Sequence, residues 1–573
     1  MKLSVTVLLL CIAGLAVADS AMDRVMTLIE AGELQGADAA YALAASVVDQ
    51  SLLPAELTEG TEPARCGTPA VMEAIRLAEL DDEAPLAAEA MALLARPSLT
   101  GPEYTLDSPA GHFKIHWTNS GADATNLAYA TALANHADNC WAVECTTMGY
   151  DTPPSDLGLG GDTKYDLYIK SIASLGYTTY SGEPSDPTTP ENDYASHIVI
   201  CVGLSDNLLK VTQAHEFQHA IQMGYDVSEP TWFMENCATW MEDMVYDEVN
   251  DYVGYLQGGE NPLRRPWFDI RSSQGLYWYG GCLWTRYMAI RMGTDAILDI
   301  WEKCGAVAGN NTLAAQGEVF QNHGMTWEQG FMEYACWRWF TAANYYSGCG
   351  MYDDEAALWT PGPYTFSFHN INSLPASGDN GVYPPETYGI HWIKVKLDNY
   401  QTGWVNMHFD GRDNFEWNLG VIMWDTAGDF EFQWYDCNPS TGVKDVGVNP
   451  AGWDYVIFFP AFMSITSVSH TYTFDITWSA TGIEGDPASE PIGLSVSSNP
   501  AGPSSQVVFT LPAASDARLD VFDLSGRIVS TLHDGTASAG QHSVSLGDLT
   551  TGTYFVRLCA GGQMASRRIV FTN

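Results

Sequence analysis

The sequence predicts a multidomain α+β protein: helices first, then a mixed α/β domain, then two β-sandwich domains. Three patterns carry this expectation. Ala, Leu and Glu at helical spacing fill residues 19 to 100, strand-like runs alternate with long amphipathic helices up to residue 350, and beyond 360 apolar residues recur at every second position. A chain of 573 residues exceeds what one core organises, and 46% hydrophobic with 12% aromatic residues indicates ordered globular modules. The net charge of −45, from 70 acidic and 25 basic residues, argues against nucleic acid or anionic membrane as a partner. It suits the solvated surface of a secreted protein.

Residues 1–18 combine Lys2, an apolar run and Ala16-Val17-Ala18, which together read as a cleaved secretory signal, with maturation at Asp19. No later run is long enough to cross a bilayer. Of the 12 cysteines only Cys11 lies in the signal, so an odd number enters an oxidising setting and at least one thiol stays free or pairs between chains. Cys140 with Cys145 and Cys336 with Cys349 are close enough in the chain for short loop closures. Residues 19–100, with AAYALAASVVDQ and PLAAEAMALLARP at helical spacing, form a helical segment between the signal and the next domain, the position of a propeptide. Between those helices runs Pro63-Ala64-Arg65-Cys66-Gly67-Thr68-Pro69. Cys66 can close a disulfide within this region.

The domain at 101–350 opens with the strand HFKIHW, followed by an amphipathic helix with Leu127, Ala130, Leu133, Ala134, Ala137 and Trp141 on one stripe, and by the strands KYDLYIK and SHIVICV. The polar, Pro-rich stretch 171–196 reads as a loop bordering a cleft. Next comes HEFQH. His215 and His219, at i and i+4 of a helix, leave the same face and can converge on one ion, with Glu216 beside them. Such a pattern arises by chance in a chain of this composition with odds on the order of 0.02. Zinc hydrolysis needs three protein ligands and one open position. Glu216 cannot reach the metal comfortably together with both histidines, so its natural role is general base toward water and then proton donor to the leaving amine. Glu242, seven residues beyond Glu235 on one helical face, can orient a ligating histidine or serve as the fallback ligand. Tyr279, with Tyr277 as runner-up, is the candidate to hold a tetrahedral oxyanion, against the plainer reading of a core aromatic. The acidic run Asp247 to Asp251 offers oxygen ligands of the kind calcium prefers but lacks EF-hand spacing, and reads first as a solvated helix end.

From 360 to 480 the alternation of Ile393, Val395 and Leu397, of Val405, Met407 and Phe409, and of Tyr472, Phe474, Ile476 and Trp478 indicates the first β-sandwich. Residues 481–492 are a linker by composition, and 493–573 hold a second small sandwich.

Several of these stretches carry resemblances. HEFQH resembles the zincin motif, and Trp232-Phe233-Met234-Glu235-Asn236-Cys237-Ala238, with fifteen residues separating His219 from Glu235, resembles the Trp-x-x-Glu-Gly-x-Ala segment of aminopeptidase-type gluzincins, with Asn236 in place of Gly. The resemblance makes Glu235 the third ligand. PARCGTPAV is similar to the cysteine switch of matrix metalloproteinase propeptides, with Ala64 before the arginine and Ala70 where Asp is usual; it implies Cys66 as a latency ligand. The tail, with Asn499-Pro500, LDVFDLSGRIV, Gly552-Thr553-Tyr554-Phe555-Val556-Arg557-Leu558 and a basic, apolar end, resembles the type IX secretion C-terminal sorting domain. The layout as a whole is similar to secreted bacterial gluzincin-like metalloproteases. It implies a zincin-like domain, a secreted zinc endopeptidase made as a zymogen, a protein or peptide substrate, and an encounter with the secretion machinery. A catalytically inactive surface or adhesion protein and a zinc aminopeptidase are the alternatives.

Overall fold

The computed structural model describes residues 20–180, 193–345, 354–359, 368–480, 491–524 and 527–572. The expected signal peptide, Cys349 and most of the linker lie outside these residues. The described chain is a mixed α+β multidomain structure with several β-sheets. It divides into two compact units: the first is Met1–Gly259 with Ser273–Ala289 and Gly293–Ala315, and the second is Glu260–Ser272, Ile290–Met292 and Gln316–Asn573.

The first unit begins with five helices, α1 Ala21–Glu30, α2 Gly36–Val48, α3 Ala55–Thr58, α4 Thr68–Leu80 and α5 Pro85–Leu94. Ser20 and Asp23 start the series with a reciprocal capping box, and prolines sit in the first turns of α4 and α5, where no helical N–H is lost. Ala39, Ala40, Leu43, Ala44 and Val47 of α2 are fully buried among α4 and α5. These small side chains let the helices approach closely.

A five-stranded sheet follows, made of β1 Tyr104–Asp107, β2 Phe113–Trp117, β3 Tyr165–Lys170, β4 Gly176–Tyr180 and β5 Ser196–Cys201, in the order β1-β2-β3-β5-β4. β2, β3 and β5 are parallel, and β1 and β4 run antiparallel at the two edges. The central strands turn one apolar face inward, where Phe113, Ile115, Leu167, Ile169, Ile198 and Ile200 are fully buried side by side, while their other face carries the buried polar residues His116, Asp166 and His197. Helix α6, Leu127–Trp141, carries the predicted stripe and packs on β2; α7, Asp206–Met223, packs on β4 and β5; α8, Thr231–Val245, packs on α7. Shorter segments α9 Val253–Gln257 and α10 Tyr277–Gly280 precede α11 Cys282–Met292 and α12 Asp295–Gly305. The stretch 171–196, expected to be a loop, contains the edge strand β4, because Tyr177 and Thr178 pair with Val199 and Ile198. Cys140 and Cys145 are free thiols rather than a disulfide.

The second unit contains α13 Thr312–Asn322 in part and α14 Trp327–Trp339, then β6 Phe368–Ile371, β7 Ala376–Asp379, β8 Trp392–Lys396, β9 Trp404–Gly411, β10 Trp417–Trp424, β11 Phe430–Asp436, β12 Val443–Val448, β13 Tyr455–Phe462 and β14 Tyr472–Ser479. The tail adds β15 Gly493–Val496, β16 Gln506–Leu511, β17 Ser515–Phe522, β18 Ile528–Ala537, β19 Gly540–Ser545, β20 Gly552–Ala560 and β21 Gln563–Phe571. One core lies between β8, β10, β13 and the sheet β12-β9-β14-β7, and a second lies between β17, β20, β21 and the sheet β15-β16-β19. Both are sandwich cores. The alternating residues named above enter the first, except Trp478, which is 45% exposed near the end of β14. Pairing of β11 with β21, from Phe430 with Ser566 to Phe432 with Met564, joins the two sandwiches into one nine-stranded sheet.

Candidate metal centre

Helix α7 is unusual in composition for its position. From Leu209 to Met223 only Lys210 escapes burial, yet the helix carries Gln213, His215, Glu216, Gln218, His219 and Gln222. Buried polar groups persist only where partners or a function hold them.

His215 and His219, one turn apart, bring their Nε2 atoms to 3.2 Å of each other. The far nitrogen of each ring is fixed. Glu242 Oε1 accepts from His215 Nδ1 at 2.8 Å. Gln222 donates its amide N–H to the Met234 carbonyl at 3.1 Å, which turns its oxygen toward His219 Nδ1 at 2.7 Å. With Nδ1 as the donor in both rings, both Nε2 lone pairs face one point. Glu235 of α8 reaches the same point, its oxygens 2.9 Å from His219 Nε2 and 3.3 Å from His215 Nε2. Cys66 Sγ lies 3.5 Å from His219 Nε2. One ligand atom from each of these four buried residues lies within 4.8 Å of the other three.

The set attracts positive charge. Burial by itself lowers the His215 imidazole, but Cys66 and Glu235 raise it well above its ordinary value. Burial raises the Glu235 carboxyl, but His219 and His215 outweigh it and hold that group at about 2. Burial, together with Glu216 and Glu235, pushes the Cys66 thiol well up. A divalent cation answers this demand and fits the spacing: ligand bonds of about 2.0–2.3 Å in a tetrahedron set neighbouring donors about 3.3–3.6 Å apart, close to the separations here. The four residues therefore suit a four-coordinate N, S, O centre.

Glu216 stands beside this set without joining it. Its Oε2 accepts from Thr178 Oγ1 of β4 at 2.8 Å and from Thr68 Oγ1 at 2.9 Å, and Oε1 is buried without a hydrogen-bond partner. Thr68 Oγ1 in turn accepts from Thr178 N at 2.8 Å. The segment bearing Cys66 thus lies along the start of the edge strand and the residues leading into it: Ala64 N donates to Ala173 O at 3.1 Å, Leu175 N to Ala64 O at 2.9 Å, and Gly67 N to Gly176 O at 2.8 Å. A Cβ on Gly67 would meet Val47 Cγ1 at 2.5 Å and Tyr177 Cβ at 3.0 Å, so only glycine passes there.

Tyr279 is buried beside the cluster, its ring 6.1 Å from His215 and stacked on Tyr255. Its hydroxyl has no hydrogen-bond partner, and burial and Glu235 push its pKa well up, so it is a neutral donor. Asn236, at the position of the expected Gly, donates to the Trp232 and Trp278 carbonyls at 2.6 and 2.8 Å, tying α8 to the short helix that carries Tyr279. Glu242 supports His215 rather than entering the ligand set; burial pushes its carboxyl up to about 7. In the acidic run, Glu248 pairs with Lys210 and Asp251 with Arg65. Thr68, Thr178 and Gln222 are functional candidates that the sequence reading passed over, because nothing local marks a threonine or glutamine that acts through tertiary contact.

Comparison with known proteins adds one assignment. A secretion system C-terminal sorting domain matches residues 499–572. The protein is accordingly secreted or displayed at the outer cell surface, with this type IX tail as its link to the secretion machinery, and no helix among the described residues is long and apolar enough to cross a membrane. No curated protein matches the chain. Solved structures with some likeness include a protein described as a beta-galactosidase from Bacteroides fragilis (13% identity, covering 32% of this chain and 32% of that one, TM-score 0.12). Others are a beta-1,2-glucanase from Parabacteroides distasonis (10%, 35% and 37%, TM-score 0.12) and the glycoside hydrolase domain of Endo-D from Streptococcus pneumoniae R6 (10%, 65% and 82%, TM-score 0.12). The chain spans about a third of the length of the first two. Likenesses at this TM-score define neither fold nor activity.

Proposed function

We propose that the chain is a secreted zinc endopeptidase of gluzincin type, built on a zincin-like domain and made as a zymogen. The observation that carries this reading is the convergence of Cys66, His215, His219 and Glu235 within 4.8 Å, with Glu216 beside them and outside the set. Two imidazoles, a carboxylate and a thiolate are a donor set that zinc prefers.

A purely structural zinc site is closed and needs no adjacent carboxylate. Here one of the four ligands comes from the helical leading region, so its withdrawal leaves the three-ligand set of a catalytic centre. When bound, zinc supplies a Lewis acid that polarises the peptide carbonyl and lowers the pKa of a water to about 7. Glu216 takes the proton from the attacking water and passes it to the leaving amine. Tyr279 donates its hydroxyl to the developing oxyanion. Glu242 and Gln222 hold the two imidazoles in the required tautomer, and Thr178 holds the Glu216 carboxylate.

The course of the leading segment favours an endopeptidase over an aminopeptidase. It crosses the centre as continuous chain, bonded before Cys66 to Ala173 and Leu175, which lead into the edge strand, and after it to Gly176 and Thr178 of that strand, as an internal stretch of a substrate would be.

Substituting Glu216→Gln separates this reading from that of an inactive adhesion module. The variant should retain about one zinc per chain, measured by elemental analysis, and lose about 10²–10⁴-fold in casein hydrolysis after activation. Hydrolysis equal to that of the parent protein would overturn the assignment.

A further inference from the structure

We infer that the pocket now filled by Arg65 is a specificity subsite, and that the active enzyme cuts polypeptides next to an arginine or lysine side chain held there. This inference rests on the peptidase reading and names the substrate class.

Arg65 directly precedes the candidate ligand Cys66, and its guanidinium donates to Asp251 Oδ2 at 3.0 Å while lying over the Tyr255 ring at 5.2 Å from the centroid. The remaining walls are Leu175, just before β4, Leu208, Val211 and Thr212 of α7, and the Glu242 carboxylate. All of these belong to the domain itself rather than to the helical leader, so the pocket outlasts the leader's departure. Its floor is bordered by His215 and Glu216, which places it against the reacting centre. About 10 Å³ of free space remains in the pocket with Arg65 in place, at the lower limit for a single water, while the Arg65 side chain is 37% exposed at its mouth.

The lining is selective by chemistry. An aromatic face with a carboxylate at its edge suits a planar cation. The apolar residues of α7 accept the aliphatic stem of a long side chain. Glu242, 3% exposed, has its second oxygen Oε2 buried without a partner. A neutral side chain leaves Asp251 without its cationic partner and offers no charge to Glu242 Oε2, and an acidic one adds repulsion. Lysine carries the charge but cannot match the flat stacking geometry, so arginine ranks first. Because the leader is held by main-chain hydrogen bonds to residues 173–176, at the start of β4 and just before it, a substrate added to that edge in the same manner brings a neighbouring side chain to this pocket.

The test is to remove the leader by limited proteolysis, digest a peptide library, and sequence the fragment termini. Basic residues, arginine above lysine, should be enriched at one position within two residues of the cut. In the Asp251→Asn variant, the ratio of kcat/KM for an arginine peptide over its norleucine counterpart should fall about tenfold, the scale of one charge-assisted hydrogen bond. Cleavage without basic enrichment overturns the subsite and leaves the peptidase reading intact. An absence of cleavage overturns both.

Discussion

At the residue scale, the two histidines were legible because the i, i+4 spacing is a helix property that the sequence displays directly. Their tautomers were not. Those are set by Glu242 and by Gln222, whose own amide is turned by the Met234 carbonyl, and such a relay exists only after α7 and α8 pack. Asn236, which departs from the resemblance at that position, has a structural task in bridging α8 to α10. Ionisable residues outside the centre also set measurable behaviour. His391 is fully buried in the second unit, beside the Tyr472 hydroxyl at 2.7 Å, and burial lowers its imidazole to about 3. Its value in the native state lies below that in the unfolded chain, so as pH falls through about 6.5 the unfolded chain takes up the proton first, and stability is lost progressively down to about pH 3. The cost is about 2 kcal/mol at pH 5. A His391→Gln variant should therefore show a smaller fall in melting temperature between pH 7 and pH 5 than the parent protein, read by calorimetry; an equal fall would show that His391 is not buried neutral.

At the scale of elements, the leading helices, α6, and the alternating strands of the first sandwich could be read from periodicity, because one face of each meets a core. Strand β4 could not. It lies in a polar, Pro-rich stretch, and its role is to offer main-chain groups that carry no side-chain signature. The same holds for the segment Ala64 to Thr68, whose position depends on β4 and on contacts with residues more than a hundred positions away. Gly67 is the tightest point of this arrangement. Replacing it with alanine should displace the segment at a cost of about 1–3 kcal/mol, which on the proposed zymogen reading corresponds to a rise of about 5- to 150-fold in hydrolysis by the full-length chain before activation. An unchanged basal rate in a stopped assay with a quenched fluorescent peptide would show that the segment does not guard the centre.

At the scale of the whole molecule, composition and the ordered landmarks of the tail pointed to export, and the sorting-domain match over residues 499–572 supports that address. The shared nine-stranded sheet was not legible, since the pairing of β11 with β21 is made between strands more than a hundred residues apart and neither strand advertises its partner. The first unit likewise brings Cys66 from the leader to His215, His219 and Glu235, a meeting that resemblance suggested and that spacing alone could not. The most direct test is X-ray absorption spectroscopy at the zinc edge on the purified full-length protein. A latent centre of this kind gives one sulfur at about 2.3 Å with three nitrogen or oxygen neighbours at about 2.0–2.2 Å. A shell without sulfur, or a protein without zinc, would contradict it.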